Sequence, residues 1–185
     1  MSVQPWKRIE PTVSTKIDYR NVIIKTFEVP GSGHTKTIAT WLSEDSRAAG
    51  VVAITKDLKV IVTRQYRPGP ERMMDEIPGG GVDSGEDPEA GARRELLEET
   101  GYVPGKLEFL GVNSRDAYTN GKWYYYLATD CELSPEGQQL DEDEEIEVRL
   151  ITIDEFIASA KNDQMTDPIA VLMAYDNLLK LKSGK

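Results

Sequence analysis

The stretch from Gly80 to Tyr102 constrains this chain more than any other, since it joins a glycine-containing loop to a clearly marked helix. Asp87 followed by Pro88 is a typical helix start, because the aspartate can cap free backbone N–H groups and proline suits the first turn. Gly101 is a typical helix end. The pattern therefore predicts a helix from about Pro88 to Thr100, preceded by an irregular loop.

Three carboxylates share one face of this predicted helix. Glu95, Glu98 and Glu99 stand at positions i, i+3 and i+4, so their side chains project about one turn apart. Like charges at this spacing repel each other, and a bound divalent cation would offset this repulsion. Mg²⁺ or Mn²⁺ prefers carboxylate oxygens and leaves positions open for phosphate oxygens. The alternative is a solvated acidic face on an acidic protein.

The spacing of the whole stretch is more specific than the three glutamates alone. Gly80, five residues, Glu86, seven residues and then RELLEETGY from Arg94 to Tyr102 resemble the signature of the Nudix hydrolases, Gx5Ex7REUxEExGU, where U is a bulky aliphatic residue. Tyr102 departs from the Ile, Leu or Val usual at the last position. A large and mostly apolar ring can pack in the same place.

The resemblance implies a fold and a metal site. The fold would be α+β, the Nudix α/β/α sandwich with a mixed β-sheet, preceded by an N-terminal antiparallel β-subdomain. The cofactor would be Mg²⁺, with Mn²⁺ as the alternative. The implied metal ligands are the Gly79 carbonyl and the carboxylates of Glu95, Glu98 and Glu99, with Glu98 also acting in catalysis. Residues implied to support the site from the loop and helix are Gly80, Glu86, Arg94 and Gly101.

The N-terminal part of the chain predicts a β-hairpin. Apolar residues around Ile24 and Phe27, a PGSG turn and a second apolar segment from Lys36 to Leu42 favour two antiparallel strands. We assign residues 1–45 to an N-terminal β-subdomain and residues 46–185 to the Nudix domain. A lone hairpin is marginal in water, so it must pack on something. Similarity to ADP-ribose pyrophosphatases implies a homodimer with a shared pocket, in which Trp41 would contact substrate; core packing is the alternative.

Arginines precede the glycine loop in the segment RQYRPGPERMMDEIPGG. The guanidinium groups of Arg64 and Arg67 could bind a diphosphate by paired hydrogen bonds or stack on a base. As isolated arginines they would be surface charges. This segment resembles the stretch before the signature in ADP-ribose and nucleoside-diphosphate-sugar hydrolases, which implies substrate-binding roles for Arg64, Arg67 and Glu76.

Two loops after the signature bear on substrate and catalysis. Strands are predicted over Leu107 to Val112 and Trp123 to Thr129, and the loop between them lacks the proline that ADP-ribose pyrophosphatases usually carry there. Tyr118 in this loop is similar to a tyrosine of diadenosine polyphosphate hydrolases. The later acidic run LDEDEE resembles a mobile loop that carries a catalytic glutamate in relatives. By that resemblance Glu144 is the first candidate and Glu142 the second; a solvated loop is the alternative.

Composition limits the function classes. The chain has 185 residues, 39% of them hydrophobic, and a net charge of −10, which argues against a nucleic-acid partner. No apolar run approaches the length of a membrane span. The single cysteine, Cys131, and a start without an apolar signal region favour the cytoplasm. Two C-terminal helices are predicted, from Asp154 to Lys161 and from Asp167-Pro168 onward.

The sequence therefore predicts a Mg²⁺-dependent hydrolase. Its substrate would be the diphosphate of a nucleoside diphosphate linked to another group, above all ADP-ribose, giving AMP and ribose 5-phosphate. Nucleotide sugars and dinucleoside polyphosphates contain the same scissile unit and remain alternatives. A non-catalytic Nudix module that binds a nucleotide and regulates a partner is an alternative of another class, although such a module has no need of the complete set of carboxylates.

Overall fold

A computed structural model describes residues 4–17, 20–41, 45–142 and 144–184. The chain divides into two compact units. The first takes the residues up to Ser46 together with Ser114–Lys122, and the second takes Arg47–Asn113 and the residues from Trp123 onward. The loop 114–122, which lies within the predicted Nudix domain, therefore belongs to the first unit.

The first unit contains a three-stranded antiparallel sheet. Its strands are β1 (Lys7–Ile17), β2 (Arg20–Glu28) and β3 (Thr35–Trp41), in the order β1-β2-β3. The predicted hairpin is confirmed as β2 and β3, although its predicted last residue, Leu42, lies outside the described residues. β1 was not predicted.

Strand β1 was missed because proline and many polar residues weaken the alternation of apolar and polar residues that usually marks a strand. Pro11 lies within it, and most of its side chains are exposed. Proline is tolerated at sheet edges and bulges. β1 is an edge strand, and its pairing with β2 shifts in register between Ile9 and Val13, around the proline.

The second unit is a mixed sheet covered by helices on both faces. The strands are β4 (Arg47–Thr55), β5 (Lys59–Arg67), β6 (Arg72–Glu76), β7 (Gly79–Gly81), β8 (Tyr102–Val103), β9 (Lys106–Asn113), β10 (Lys122–Leu133) and β11 (Glu147–Thr152), and the helices are α1 (Pro88–Thr100), α2 (Ile153–Lys161) and α3 (Pro168–Ser183). The sheet runs in the order β11-β5-β4-β10-β8, with β6 paired to β5, β7 to β4 and β9 to β10. None of the helices in the described part of the chain could span a membrane.

Side chains that alternate along the central strands build one core on each face of this sheet. On one face Val51 and Ile61 pack with Leu96 of α1. On the other face Val52 belongs to a cluster with Phe156 of α2 and with residues of α3. Because successive side chains of a strand point to opposite faces, β4 serves both cores and is buried almost throughout. The α+β class and the predicted α/β/α sandwich are confirmed.

Helix α1 has the predicted bounds. The Asp87 side chain accepts a hydrogen bond from the Glu89 N–H at 2.8 Å, and the helix ends where Gly101 takes a positive φ of 74°. A Cβ atom on Gly101 would also lie 2.9 Å from the carbonyl carbon of Gly137. Both the backbone conformation and this close approach therefore require glycine at position 101.

The aromatic run Trp123 to Tyr126 of β10 packs into the cores on both faces of the sheet. Tyr125 is fully buried and stacks with Trp123 at 6.3 Å between ring centroids, beside the α2 and α3 core. Tyr124 and Tyr126 contact Phe109 of β9 and belong with the α1 core. Strand geometry thus prevents the run from forming one stacking surface.

Candidate active site

A cleft of about 310 Å³ lies on the α1 face of the second unit. Residues from β5, β7, α1 and the acidic segment before β11 form its walls. Its acidic side chains are those of Glu95, Glu98, Glu99, Asp141 and Glu144, and its basic side chains are those of Arg67 and Arg94. The loop Gly79 to Gly81 completes the wall, so the predicted metal ligands share one cleft.

Glu99 is the most buried of the cleft carboxylates. Only 6% of the residue is exposed, and its Oε2 accepts a hydrogen bond from the Gly79 N–H at 2.9 Å. Burial raises the pKa of Glu99 to about 8, the Gly79 hydrogen bond opposes this, and the nearby negative charges of Glu95 and Glu144 add to it. The site therefore concentrates negative charge around one buried carboxyl group.

Glu95 packs directly against the glycine loop. A Cβ atom at Gly80 would lie 2.6 Å from Oε1 of Glu95, so only glycine allows this approach. Oε1 also accepts a hydrogen bond from Nη1 of Arg94 at 2.8 Å. Burial raises the pKa of Glu95, and the contact with Arg94 acts against that increase. The glycine at position 80 thus has a steric cause in this chain.

Arg94 ties the helix to the loop. It donates to Oε2 of Glu98 at 2.8 Å, to Oε1 of Glu86 at 3.1 Å and to the carbonyl of Gly81 at 2.8 Å. Glu86 also accepts the Asp83 N–H at 2.9 Å, and its pKa is lowered, first by the hydrogen bond from Arg94. Arg94 and Glu98 stand one helical turn apart, so this contact lies within α1.

The acidic segment brings one predicted glutamate to the cleft and not the other. Glu144 lines the cleft, and its charge contributes to the raised pKa values of Glu95 and Glu99. Its Oε2 accepts the Asp141 N–H at 3.1 Å. Glu142 is exposed and does not line the cleft, whereas Asp141, which the sequence did not single out, does. Only its place in the acidic run could have indicated Asp141.

Two glutamines fasten the acidic segment to the end of α1, and sequence reasoning missed both. The Gln139 N–H donates to the Glu98 carbonyl at 2.8 Å, and Nε2 of Gln138 donates to the Glu99 carbonyl at 2.7 Å. These carbonyls belong to the last turn of α1 and have no partner within the helix. Nε2 of Gln138 also lies 3.5 Å from the carbonyl of Ile146, next to β11. Gln138 therefore joins both ends of the segment that carries Glu144.

Gln138→Ala tests this link. We expect unfolding free energy to fall by about 1 kcal/mol and kcat to fall by about tenfold, as for residues that orient catalytic groups, with KM little changed. Gln139→Ala is the matched control: Gln139 lines the cleft, but among the described residues its side chain bonds to Glu136 and not to α1, and its backbone contact persists. Thermal unfolding gives the stability of both variants, and steady-state kinetics gives their kcat and KM. Equal kinetic effects in the two variants would contradict a positioning role for Gln138.

Arg64 and Arg67 lie on opposite faces of β5. Arg67 lines the cleft and holds the buried carboxylate of Glu76 through both Nε and Nη2. Arg64 lies outside the cleft and donates to Asp75 at 3.0 Å. The structure thus brings Arg67 and Glu76 to the carboxylate cluster but not Arg64.

The two aromatic residues predicted to contact substrate belong to the first unit. The Trp41 N–H donates to the Tyr118 carbonyl at 2.9 Å, which joins β3 to the loop 114–122. Both side chains are about half exposed. Their rings are therefore available for a contact, and their proposed role in substrate binding is taken up below.

The carboxylates of the cleft fit a hard divalent cation, and each of the three on α1 already accepts a hydrogen bond from the protein. Among the described residues, no three or more His, Cys, Asp or Glu side chains are already grouped to hold a metal ion. Arg94 donates hydrogen bonds to Glu95 and Glu98, and the Gly79 N–H donates one to Glu99. The donors are carboxylate oxygens, which Mg²⁺ and Mn²⁺ prefer, and a cation would relieve the repulsion that helps raise the Glu99 pKa.

Comparisons with known proteins agree with this geometry. A family model described as NUDIX domain matches residues 45–172. An ADP-ribose pyrophosphatase of Bacillus subtilis is 34% identical over 121 residues, 65% of each chain, so the match spans slightly less than two thirds of that relative. A methanol dehydrogenase activator of Bacillus methanolicus is 33% identical over 68% of each chain. A crystal structure of an ADP compounds hydrolase has the same fold, with a TM-score of 0.82, 22% identity and 98% coverage of both chains.

Proposed function

The chain belongs to the Nudix family, and from this premise we propose that it hydrolyses the diphosphate of a nucleoside diphosphate linked to another group. The proposed cofactor is Mg²⁺, with Mn²⁺ as a possible substitute. The observation that carries the proposal is the meeting of Glu95, Glu98, Glu99 and Glu144 in one cleft beside the Gly79 loop. A structural acidic face would not need to bring carboxylates from separate segments together against their mutual repulsion.

The residues that would hold the cation come from the loop and from α1. They are the Gly79 carbonyl and the carboxylates of Glu95, Glu98 and Glu99. When bound, the cation neutralises phosphate charge and lowers the pKa of a bound water. Arg94 keeps Glu98 and Glu95 in place through its hydrogen bonds, and Glu86 fixes the loop end through Arg94 and the Asp83 N–H.

Glu144 is the proposed acceptor of the water proton. The water oxygen forms a bond to one phosphorus, the bond from that phosphorus to the bridging oxygen breaks, and the bridging oxygen leaves with the second phosphate. Glu144 suits this task because it lines the same cleft as the carboxylate cluster, comes from a separate segment and makes no hydrogen bond to Arg94 in the described structure. Glu142 is the second candidate, since it belongs to the same segment.

Substrate contacts are proposed for residues around the cleft. Arg67 offers a guanidinium to diphosphate oxygens while Glu76 holds it in place. Trp41 and Tyr118 of the first unit remain proposed contacts, whereas Arg64, predicted as a contact, faces away from the cleft on β5 and pairs with Asp75. ADP-ribose is the proposed substrate because the Bacillus subtilis relative is an ADP-ribose pyrophosphatase, with nucleotide sugars and dinucleoside polyphosphates as alternatives.

A substrate panel tests this function. Purified protein with Mg²⁺ is given ADP-ribose, a nucleotide sugar, a dinucleoside polyphosphate and a nucleoside triphosphate, and the products are separated by chromatography. We expect the highest kcat/KM for ADP-ribose, with AMP and ribose 5-phosphate in equal amounts. Preference for another member of the panel would overturn the substrate. Binding of a nucleotide without turnover of any compound would instead favour a non-catalytic regulatory module.

We further propose a homodimer in which the first unit contributes to the interface and to the substrate pocket. Its three-stranded sheet leaves Val13, Ile17, Ile24 and Trp41 substantially exposed, and such a small sheet gains stability from an apolar partner surface. Light scattering of the full chain should give twice the monomer mass. A truncated chain beginning at Arg47 should be monomeric and should have a KM for substrate raised by about tenfold or more. A fully active, full-length monomer would contradict the shared pocket.

A further inference from the structure

A second cavity, of about 460 Å³, lies on the opposite face of the sheet from the carboxylate cleft, beside α2. Three neighbouring strands supply its charged floor. In the register of these strands, Arg64 of β5 stands opposite Asp75 of β6, and Arg149 of β11 stands opposite Val62, two residues before Arg64. Arg149 and Arg64 are therefore diagonal neighbours on one face, and Asp75 is next to them.

The floor of this cavity carries more positive than negative charge. Nη1 of Arg64 donates to Oδ1 of Asp75 at 3.0 Å, and Nη1 of Arg149 donates to the same oxygen at 2.8 Å. The Asp75 side chain is 9% exposed, so one nearly buried carboxylate serves two guanidinium groups. At the floor two positive charges face one negative charge, and the charge of Glu155 at the rim offsets part of this excess at Arg149.

The two guanidinium groups keep donors available for a ligand. Both use Nη1 for Asp75, and in the described part of the chain Nε and Nη2 of Arg64 and Arg149 have no protein acceptor. Each side chain is about one third exposed, so these donors can be reached. Paired N–H donors in a fixed plane match the oxygens of a phosphate group.

The acids at the rim of the cavity already have partners. Asp163 accepts from Arg72 at 2.5 Å, and both side chains are exposed to solvent. Glu155 accepts the N–H and the O–H of Thr152, each at 2.7 Å, and so caps α2. Neither rim acid therefore accepts a hydrogen bond from Arg64 or Arg149 within the described part of the chain, although the charge of Glu155 interacts with that of Arg149. Arg72 adds a third guanidinium to the cavity.

We propose that this arginine cavity, defined by Arg64, Arg72, Asp75 and Arg149, binds the phosphate group of a small phosphate monoester. Arg64 and Arg149 would donate to the phosphate oxygens from the floor. Asp75 would hold both guanidinium groups in place, and Arg72 would contact the ligand from the rim. The site is separate from the carboxylate cleft because the sheet lies between them, so its occupancy does not depend on the proposed hydrolysis.

The test is a phosphate titration of the full chain without divalent cations, a condition in which the acidic cleft repels anions. Inorganic phosphate and AMP are the two probes, at constant ionic strength, and the readout is the NMR signals of the arginine Nε–H groups. We expect saturable shifts of the Arg64 and Arg149 signals. AMP should bind more tightly than inorganic phosphate, because Met73, Ile151 and Ala158 give the cavity apolar walls beside the arginines.

Variants assign the binding to the cavity. Arg149→Gln should weaken binding of both probes by about tenfold or more, the usual effect of losing a charged hydrogen-bond donor. Arg64→Gln serves as a second variant if Arg149→Gln does not fold. Arg93→Gln is the matched control, since Arg93 is equally an exposed arginine paired with one carboxylate, Glu89. Unsaturable shifts, or equal losses in the Arg93 and Arg149 variants, would overturn the site, and tighter binding of inorganic phosphate than of AMP would overturn the monoester.

Discussion

Glu99→Gln is expected to reduce turnover by about 100- to 1,000-fold while the protein stays folded. A bound metal stabilises the charge of the transition state by several kcal/mol, and about 1.4 kcal/mol corresponds to a factor of ten in rate. Glutamine removes the negative charge but keeps an oxygen that can accept the Gly79 N–H. Glu98→Gln should act in the same direction, since Glu98 is proposed to share the cation.

The matched control is Glu89→Gln, on the first turn of the same helix. Glu89 is half exposed, bonds to Arg93 and lies away from the cleft. Turnover with saturating Mg²⁺ and thermal unfolding are measured for all three variants, and Glu89→Gln should keep wild-type values in both. Near-normal turnover of folded Glu99→Gln and Glu98→Gln would refute the assignment of these carboxylates to the metal.

Glu144→Gln is expected to lower kcat by about 100-fold, with KM changed by less than about threefold. General bases contribute rate factors of about 10² to 10⁴, and a group that acts on the attacking water stabilises the transition state more than bound substrate. Glu142→Gln is the matched control from the same segment, because Glu142 is exposed and outside the cleft. Steady-state kinetics of both variants give the comparison.

The outcome for Glu144 distinguishes three arrangements. A loss of kcat confined to Glu144→Gln supports its role toward the water proton. A larger loss in Glu142→Gln would show that the segment changes its position when substrate binds. If neither substitution matters, the proton acceptor lies elsewhere in the cleft, and Asp141, which also lines the cleft, becomes the next residue to replace.

Helix α1 could be predicted from sequence because its signals are local. Asp87 and Pro88 begin the helix and Gly101 ends it, through contacts within a few residues. The placement of Glu95, Glu98 and Glu99 on one face follows from the helical period alone. The burial of Glu99 could not be predicted in this way, because it depends on the Gly79 loop, which comes from a distant segment of the chain.

Strand β1 and the role of Gln138 were not predicted from the sequence, for two different reasons. β1 was missed because a strand with proline and mostly polar side chains gives little periodic signal. Gln138 carries no motif, and its importance arises only where two segments meet at the end of α1. The separation of Arg64 from Arg67, in contrast, follows from strand alternation once both are placed on β5. Because Arg64 and Arg67 are three residues apart on one strand, their side chains could have been predicted to face opposite sides of the sheet.

One measurement tests most directly whether cleavage of the diphosphate depends on a metal ion. Protein stripped of metal with a chelator is mixed with ADP-ribose, and AMP and ribose 5-phosphate are followed before and after excess Mg²⁺ is added. Charge repulsion makes the diphosphate inert without the cation, so we expect no turnover above the uncatalysed background before the addition and equal formation of both products after it. Equal rates with and without Mg²⁺, or no products with either Mg²⁺ or Mn²⁺, would contradict the account.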